Sequence, residues 1–455
     1  MVLLLAIAAC SEKPSEEKLS DKPVTLITLD PGHFHAHLVQ KDMYEQVNPT
    51  VYVYAPEGEE VQDHLQKISA YNTRAENPTS WQEELYLGND FLEKMISEKK
   101  GNVVVMAGNN RKKTEYIKRS VEAGLHVLSD KPMAITADNF EVLKEAFEIA
   151  AKNNVLLYDI MTERHEITSI LQKEFSHVES LFGALENGSE EEPAVVKESV
   201  HHFYKYVAGS VLKRPSWFFD VEQQGEGIVD VTTHLVDLIQ WACFPEKIID
   251  YNTDIEMLSA IRWPTLVTND EFMEVTRQSA IPDYLLGSMG DDSLLHIYAN
   301  GEINYKINGV HAKVIVKWDY QAPEGAADTH YSIMRGTKAN LIIKQGEEQN
   351  YKPVLYIEPS TAYSVADLQA ASEEALKALV VKFPGIELVP NNAGWEVKVP
   401  DSYDVGHEAH FTQVTTKYLE YFAAGKLPDW EVPNMITKYY ITTKALEMAR
   451  TNDLQ

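Results

Sequence analysis

Cysteine is scarce. Two stand among 455 residues, Cys10 and Cys243, so no framework of disulfides holds this fold. The length makes such staples unnecessary, because a chain of this size buries roughly three quarters of its unfolded surface. Positive charge is also short: 41 Lys and Arg stand against 69 Asp and Glu, for a formal net charge of -28. That excess repels phosphate and argues against nucleic acid and anionic membrane surfaces as partners. Long apolar runs are missing too. The apolar opening, Met1 to Ala9, is less than half of the about 20 residues that span a bilayer. There is no internal repeat, and no low-complexity tract beyond a polar stretch near the N-terminus. Hydrophobic residues at 44% and charged residues at 24% exclude wholesale disorder.

The opening run ends at Cys10 as Leu5-Ala-Ile-Ala-Ala-Cys10, with small residues just before the cysteine. It is similar to a bacterial lipobox, in which the cysteine is lipidated and becomes the mature N-terminus. Ser11 to Lys22 then reads as a flexible tether. The expectation is a protein held at a membrane by a lipid on Cys10, in the periplasm or cell envelope. The basic residues that usually precede such a run are absent, which fits a true start upstream of Met1. The competing reading is a short buried strand. Cys243, in the apolar stretch Leu238 to Phe244, reads as a packed core thiol.

From residue 23 the pattern is α/β. Short apolar strands are expected at 24–29, 50–55, 102–107, 125–128 and 155–158, with helices at 113–123 and 137–153 between them. Alternation of this kind predicts a doubly wound parallel sheet over residues 23–157. After residue 158 the pattern changes. A helix stands at 226–243, strands follow at 292–305, 312–320 and 337–344, and helices at 365–381, 408–424 and 433–450. Residues 158–455 therefore read as an α+β domain with an open, mostly antiparallel sheet and an insertion near 346–405.

The first strand ends in Asp30-Pro31-Gly32-His33-Phe34-His35-Ala36-His37. A dinucleotide site needs a glycine turn here, so that backbone N–H groups and the next helix N-terminus can hold a pyrophosphate. Laid on G-x-G-x-x-G, only the middle glycine, Gly32, survives; Asp30 and His35 replace the others. The competing reading is a plain strand–helix turn. The second strand ends at Ala55, and Glu57 just beyond is a candidate for the adenosine ribose hydroxyls or else a solvated loop carboxylate. No Arg stands beside it, which favours NAD over NADP.

Two further runs bear on this choice. Residues 102–133 read Asn-Val-Val-Val-Met-Ala107-Gly-Asn109-Asn110, a helix, and then Glu122-Ala-Gly-Leu-His-Val-Leu-Ser-Asp130-Lys131-Pro132-Met133. About a hundred residues on comes Gly225-Glu-Gly-Ile-Val-Asp230-Val-Thr-Thr-His234-Leu-Val-Asp237. Together they resemble the Gfo/Idh/MocA family of glucose-fructose oxidoreductase and inositol dehydrogenase, with Asp130 in place of the Glu of its EKP motif. The resemblance spans residues 23–345 and, more loosely, the closing helices. It implies a Rossmann domain and hydride transfer between a sugar or glycoside hydroxyl carbon and NAD, with NADP the second choice.

Carried onto these positions, the resemblance makes Lys131, Asp230 and His234 catalytic. His234 would be the base and Lys131 the group that orients the hydroxyl and supports developing charge. A satisfied helix pair in the core is the competing reading of Asp230 and His234. Gly32, His33, Phe34, His35, Glu57, Ala107, Asn109, Asn110, Asp130 and Lys131 would surround the cofactor. Further substrate candidates are Asp159 after a strand, His202 and Tyr204 on one face of a strand with His201 and Lys205 on the other, and Trp217. The groups His33-x-His35-x-His37 and His407-Glu408-Ala-His410 invite a metal reading, but H-E-x-x-H is absent and no Cys supports one. No metal is expected; His33 and His35 are assigned to the cofactor loop.

The expected protein is thus a NAD(P)-dependent oxidoreductase of a small sugar or glycoside, with a homo-oligomer plausible from the resemblance. Outside the cytoplasm no free nicotinamide pool recycles the cofactor, so a tightly held cofactor and a redox-neutral cycle are expected. One such cycle ends in glycoside cleavage. A carbohydrate-binding lipoprotein that has lost catalysis is the alternative from another class.

Overall fold

The computed structural model describes residues 23–207 and 210–452. The apolar opening, the tether and Cys10 lie outside the described residues. The first sheet holds β1 (Leu26–Leu29), β2 (Thr50–Ala55), β3 (Gln82–Leu87), β4 (Val103–Met106), β5 (His126–Asp130) and β6 (Leu157–Ile160). All neighbours are parallel, in the order β3-β2-β1-β4-β5-β6. This is the doubly wound Rossmann order, and the chain reverses direction across the sheet between β1 and β4, where ligands bind such sheets. Every residue of β1 and β4 is buried, as helices on both faces require.

The second sheet is built from β7 (Val195–Tyr204), β10 (Ile255–Val267), β11 (Leu295–Ile307), β12 (Val310–Gln321), β13 (Thr329–Arg335), β14 (Ala339–Gln345), β15 (Val354–Pro359), β16 (Glu387–Pro390) and β17 (Trp395–Lys398). A small hairpin, β8 (Tyr206–Val207) with β9 (Ser210–Val211), stands apart. The order is β10-β11-β12-β7-β13-β14-β15-β17-β16, antiparallel except where β7 meets β12. The overall class is α/β: a parallel Rossmann sheet and an open, mostly antiparallel one. The stretch read as an insertion near 346–405 adds β15, β17 and β16 to the edge of this sheet, with the helix Val365–Lys382 over them.

The helix expected over 226–243 starts at Thr232, so Asp230 sits in the turn ahead of it and not on a shared helix face with His234. Gly227 governs that turn. A Cβ there would meet the Ala299 carbonyl oxygen at 1.7 Å, so only glycine lets the turn pack against β11. The two closing helices, His407–Ala424 and Glu431–Asn452, join the halves. Phe411, Tyr418, Met435 and Tyr439 belong to the Rossmann core, while Ile441, Ala445 and Leu446 belong to the core of the second sheet. Cys243 packs at the margin of that second core, and burial pushes its thiol up to about 12, as expected for an inert thiol.

Candidate active site

The loops after β1 and β4 meet backbone to backbone at the switch point. Gly108 is compelled there, because a Cβ on it would stand 2.4 Å from the Asp30 carbonyl oxygen. Asp30 itself takes φ +47, the left-handed conformation that the first glycine of the motif normally supplies and that Asp tolerates better than most residues. The loop is therefore less eroded in shape than in sequence. Two expectations fail, however. The helix after this loop is one turn, His35–Leu38, too short for a useful dipole, and the N–H groups of Gly32 and His33 both donate to the Ala107 carbonyl.

NAD fits this crevice by shape. A Cβ on Gly32 would point into it, 3.6 Å from Asn109 N and 3.6 Å from Trp217 Cζ2. Beyond the end of β2 lies a cavity of about 440 Å³ lined by Glu57, Gly58, Glu59, Gln62, Asp63, Leu87 and Lys213. Carboxylates there suit ribose hydroxyls and oppose a further phosphate, and Lys213 is paired to Glu59 at 2.9 Å. Trp217 stands at this end of the crevice. Its indole N–H donates to Glu60 Oε1 at 2.7 Å, and its ring lies over Gly32. The side chains of Asn109 and Asn110 have partners across the cleft. Asn109 donates to Gln223 Oε1 and Asn110 to the Gln224 carbonyl, each at 2.7 Å, so both fasten the Rossmann half to the turn that carries Asp230. Phe34 is exposed at the loop tip.

Lys131 leaves the end of β5 and reaches across the cleft. Its Nζ donates to Asp230 Oδ1 at 2.5 Å, while Gln224 donates to Oδ2 at 3.1 Å. Burial pushes Asp230 up, but the Lys131 charge and these two hydrogen bonds outweigh it and hold the carboxyl below its usual range. His234 lies one turn further on. Burial first, and the Lys131 charge second, lower it to about 3, so it is neutral at physiological pH, and its Nδ1 is buried without a hydrogen-bond partner. A neutral imidazole with an unpartnered ring nitrogen near an ordered ammonium is a candidate for handling a substrate proton.

Two residues of this neighbourhood went unread in the sequence. Glu163, in the turn after β6, is raised to about 7, chiefly by burial and by Glu166, with partial relief from Lys131. Its one sequence signal is its place just beyond a strand's carboxyl end. Asp328 accepts from His202 Nδ1 at 2.8 Å and from Lys205 Nζ at 3.0 Å, and His201 Nδ1 stands 3.4 Å from it. The expected alternation of faces therefore breaks at the end of β7: His201, His202 and Lys205 all converge on one carboxylate. Burial pushes Asp328 up, but the hydrogen bonds of both histidines and the Lys205 charge outweigh it and hold the carboxyl far below its usual range. A cavity of about 750 Å³ opens here, lined by His202, Tyr204, Lys205 and the loop from Gln321 to Asp328.

Asp159 does not face the cleft. It lies within β6, buried, with Lys438 Nζ at 2.7 Å and the Tyr439 hydroxyl at 3.1 Å. It belongs to a closed ionic network at the hinge. Arg164 binds Asp237 through two nitrogens at 2.6 and 2.7 Å and Glu431 at 2.9 Å, and Lys438 also reaches Asp237 at 2.8 Å. His33 and His35 turn their rings toward Asp130, whereas His37 turns away to the Tyr71 hydroxyl at 2.7 Å.

Comparison with known proteins bears on both halves. Residues 32–159 match the family model "Oxidoreductase family, NAD-binding Rossmann fold", and residues 171–450 match "Putative oxidoreductase C terminal domain". A crystal structure of a "putative oxidoreductase" from Parabacteroides merdae is 55% identical, covers 94% of this chain and 98% of its own, and superposes with a TM-score of 0.93. A levoglucosan dehydrogenase solved with NADH and levoglucosan is 11% identical, with a TM-score of 0.59 over 94% of this chain and 97% of its own. An oxidoreductase structure from Thermotoga maritima is 14% identical, with a TM-score of 0.58 over 94% and 98%. These last two show the shared fold. A search of curated proteins gives no match.

Proposed function

The chain belongs to the Gfo/Idh/MocA family of NAD-binding oxidoreductases, and from that premise we propose that it oxidises or reduces one carbon of a small sugar or glycoside. The observation that carries this reading is the Lys131–Asp230 pair spanning the cleft at 2.5 Å beside the unpartnered His234 Nδ1. NAD, when bound at the switch point, supplies the acceptor for the hydride that leaves the carbinol carbon. The chain's own groups manage the proton. Asp230 fixes the Lys131 ammonium, which hydrogen-bonds the substrate oxygen and stabilises the charge that grows on it. His234 accepts the hydroxyl proton at Nδ1; in the reverse direction it returns that proton to the carbonyl oxygen. The cavity at His202, Tyr204 and Lys205 has polar side chains suited to the remaining sugar hydroxyls, and a levoglucosan dehydrogenase that shares the fold is solved in complex with NADH and levoglucosan.

The lipobox-like opening extends the proposal. A protein lipidated at Cys10 would work outside the cytoplasm, would hold its cofactor tightly, and would close its redox cycle on the sugar itself. Substitution of Lys131 by Ala tests the catalytic assignment. Turnover of a sugar panel should vanish while sugar binding, followed by calorimetry, persists. Equal turnover in the variant would remove Lys131 from the catalytic machinery, whereas sugar binding with no turnover by the wild-type chain would return it to the class of carbohydrate-binding lipoproteins.

A further inference from the structure

Where the loop after β1 crosses the end of β5, three donor groups converge. His35 Nδ1 lies 2.9 Å from Asp130 Oδ2, and His33 Nδ1 lies 3.5 Å from the same oxygen. One potential ligand atom from each of the three residues falls within 4.8 Å of the other two, and the two imidazole rings meet edge to face at 4.1 Å. Hydrogen bonding accounts for only part of this. His35 can donate to Asp130, but His33 Nδ1 is shut off from solvent and has no hydrogen-bond partner. Leaving such a nitrogen unpaired costs about 1–3 kcal/mol. A single ion removes the discrepancy. Ligand atoms held about 2.0–2.2 Å from a metal stand roughly 3 to 3.6 Å apart across a tetrahedral or octahedral angle, and the two nitrogen–oxygen separations fall at or near that range.

We propose that His33 Nδ1, His35 Nδ1 and Asp130 Oδ2 bind one divalent transition-metal ion, of the zinc, iron or manganese class, inside the cofactor loop. Two imidazoles and one carboxylate suit such ions; magnesium and calcium call for sets built of oxygen. Lys113 Nζ donates to the Asp130 carbonyl at 3.2 Å and steadies the end of the strand. The His407 ring stands 5.7 Å from the His35 ring, on the side where the closing helices cover the loop. The neighbouring Lys131 charge is matched by Asp230. Three protein ligands leave coordination positions open one residue from Lys131, where water or a substrate hydroxyl could enter.

The site uses side chains only, since His33 spends its N–H on Ala107, so it coexists with a dinucleotide in the adjoining crevice. Its test needs neither NAD nor sugar. The whole chain is stripped with EDTA, titrated with zinc chloride and with cobalt chloride, and followed by metal content after gel filtration and by the visible absorption of bound Co²⁺. One ion per chain is expected. His33→Ala and His35→Ala should each weaken Zn²⁺ binding by about 100-fold and abolish the Co²⁺ band, while His296→Gln, at the exposed pair with Asp292, should leave both unchanged. His33→Gln, with circular dichroism as the check on folding, replaces any alanine variant that fails to fold. Zn²⁺ bound equally well by the His33 and His35 variants, or no ion retained by the wild-type chain, would overturn the site and leave a hydrogen-bonded His–Asp stack.

Discussion

Behind the cleft, the hinge buries Asp159, Arg164, Asp237, Glu431 and Lys438, and each of the five has an opposite charge within 3 Å. In front of it, Lys131 and Asp230 are paired, but His234 Nδ1 and His33 Nδ1 are buried with no hydrogen-bond partner at all. Both clusters draw on the same stretch of chain, since His234 and Asp237 share one helix. A closed network has nothing left to offer a ligand, and its work is to hold two halves at one angle. An open one carries a cost in the folded state and recovers it when something binds. In the cleft, unsatisfied atoms stand beside the Lys131–Asp230 pair, and it is that combination that marks the candidate site.

That contrast can be broken from either side. The largest expected effect is at the hinge. Arg164→Leu leaves two carboxylates buried against reduced countercharge and should lower unfolding free energy by about 3–5 kcal/mol in urea titration. A loss below about 1 kcal/mol would mean that the hinge network is not structural. Next is the cleft. Lys131→Met should cut turnover by roughly 100- to 1000-fold, about 2.7–4 kcal/mol, and should cost less stability than Arg164→Leu because it strips one carboxylate, not two, and Gln224 still donates to it. A stability loss as large as that of Arg164→Leu would erase the distinction between the two clusters.

A buried carboxylate with no cation sharpens the comparison. Glu83 on β3 accepts from Gln40 at 2.7 Å, its Oε2 is buried without a partner, and burial raises it to about 7. Its folded value lies above the unfolded one, so the folded state holds the proton longer. The stability this gives is complete below about pH 4.5 and is lost as pH rises through about 7. Glu83→Gln should remove that slope, worth about 2–3 kcal/mol, from stability measured between pH 5 and 8. An unchanged slope would assign the titration elsewhere. The smallest effect is at Trp217, where Phe keeps the ring over Gly32 and loses the hydrogen bond to Glu60. NAD should bind about fivefold more weakly, near 1 kcal/mol, at constant kcat.

How much of this was legible in the sequence depends on where each residue's partners lie. β1, β2 and β4 were readable because a sheet covered on both faces writes continuous apolar runs. β3, Gln-Glu-Glu-Leu-Tyr-Leu, is a half-exposed edge strand and writes none. Lys131, Asp230 and His234 came from motif spacing and meet in one cleft. Asn109 and Asn110 were assigned to the cofactor from the family turn; their hydrogen bonds to Gln223 and Gln224, 114 residues away, were not legible. Asp159 was misplaced for the same reason, its partners being in the last helix. Asp328 sits in a loop with no motif. The convergence of His33 and His35 on Asp130 needs a contact across 95 residues that no local pattern records.

The central claim is that the loop around Gly32, short of glycine and followed by a single helical turn, still holds NAD. Freshly purified protein should be denatured and its supernatant scanned by absorbance and mass spectrometry for NAD(H) and NADP(H). Close to one NAD(H) per chain is the predicted result. No cofactor released, together with no binding when NAD or NADH is added back, would contradict it.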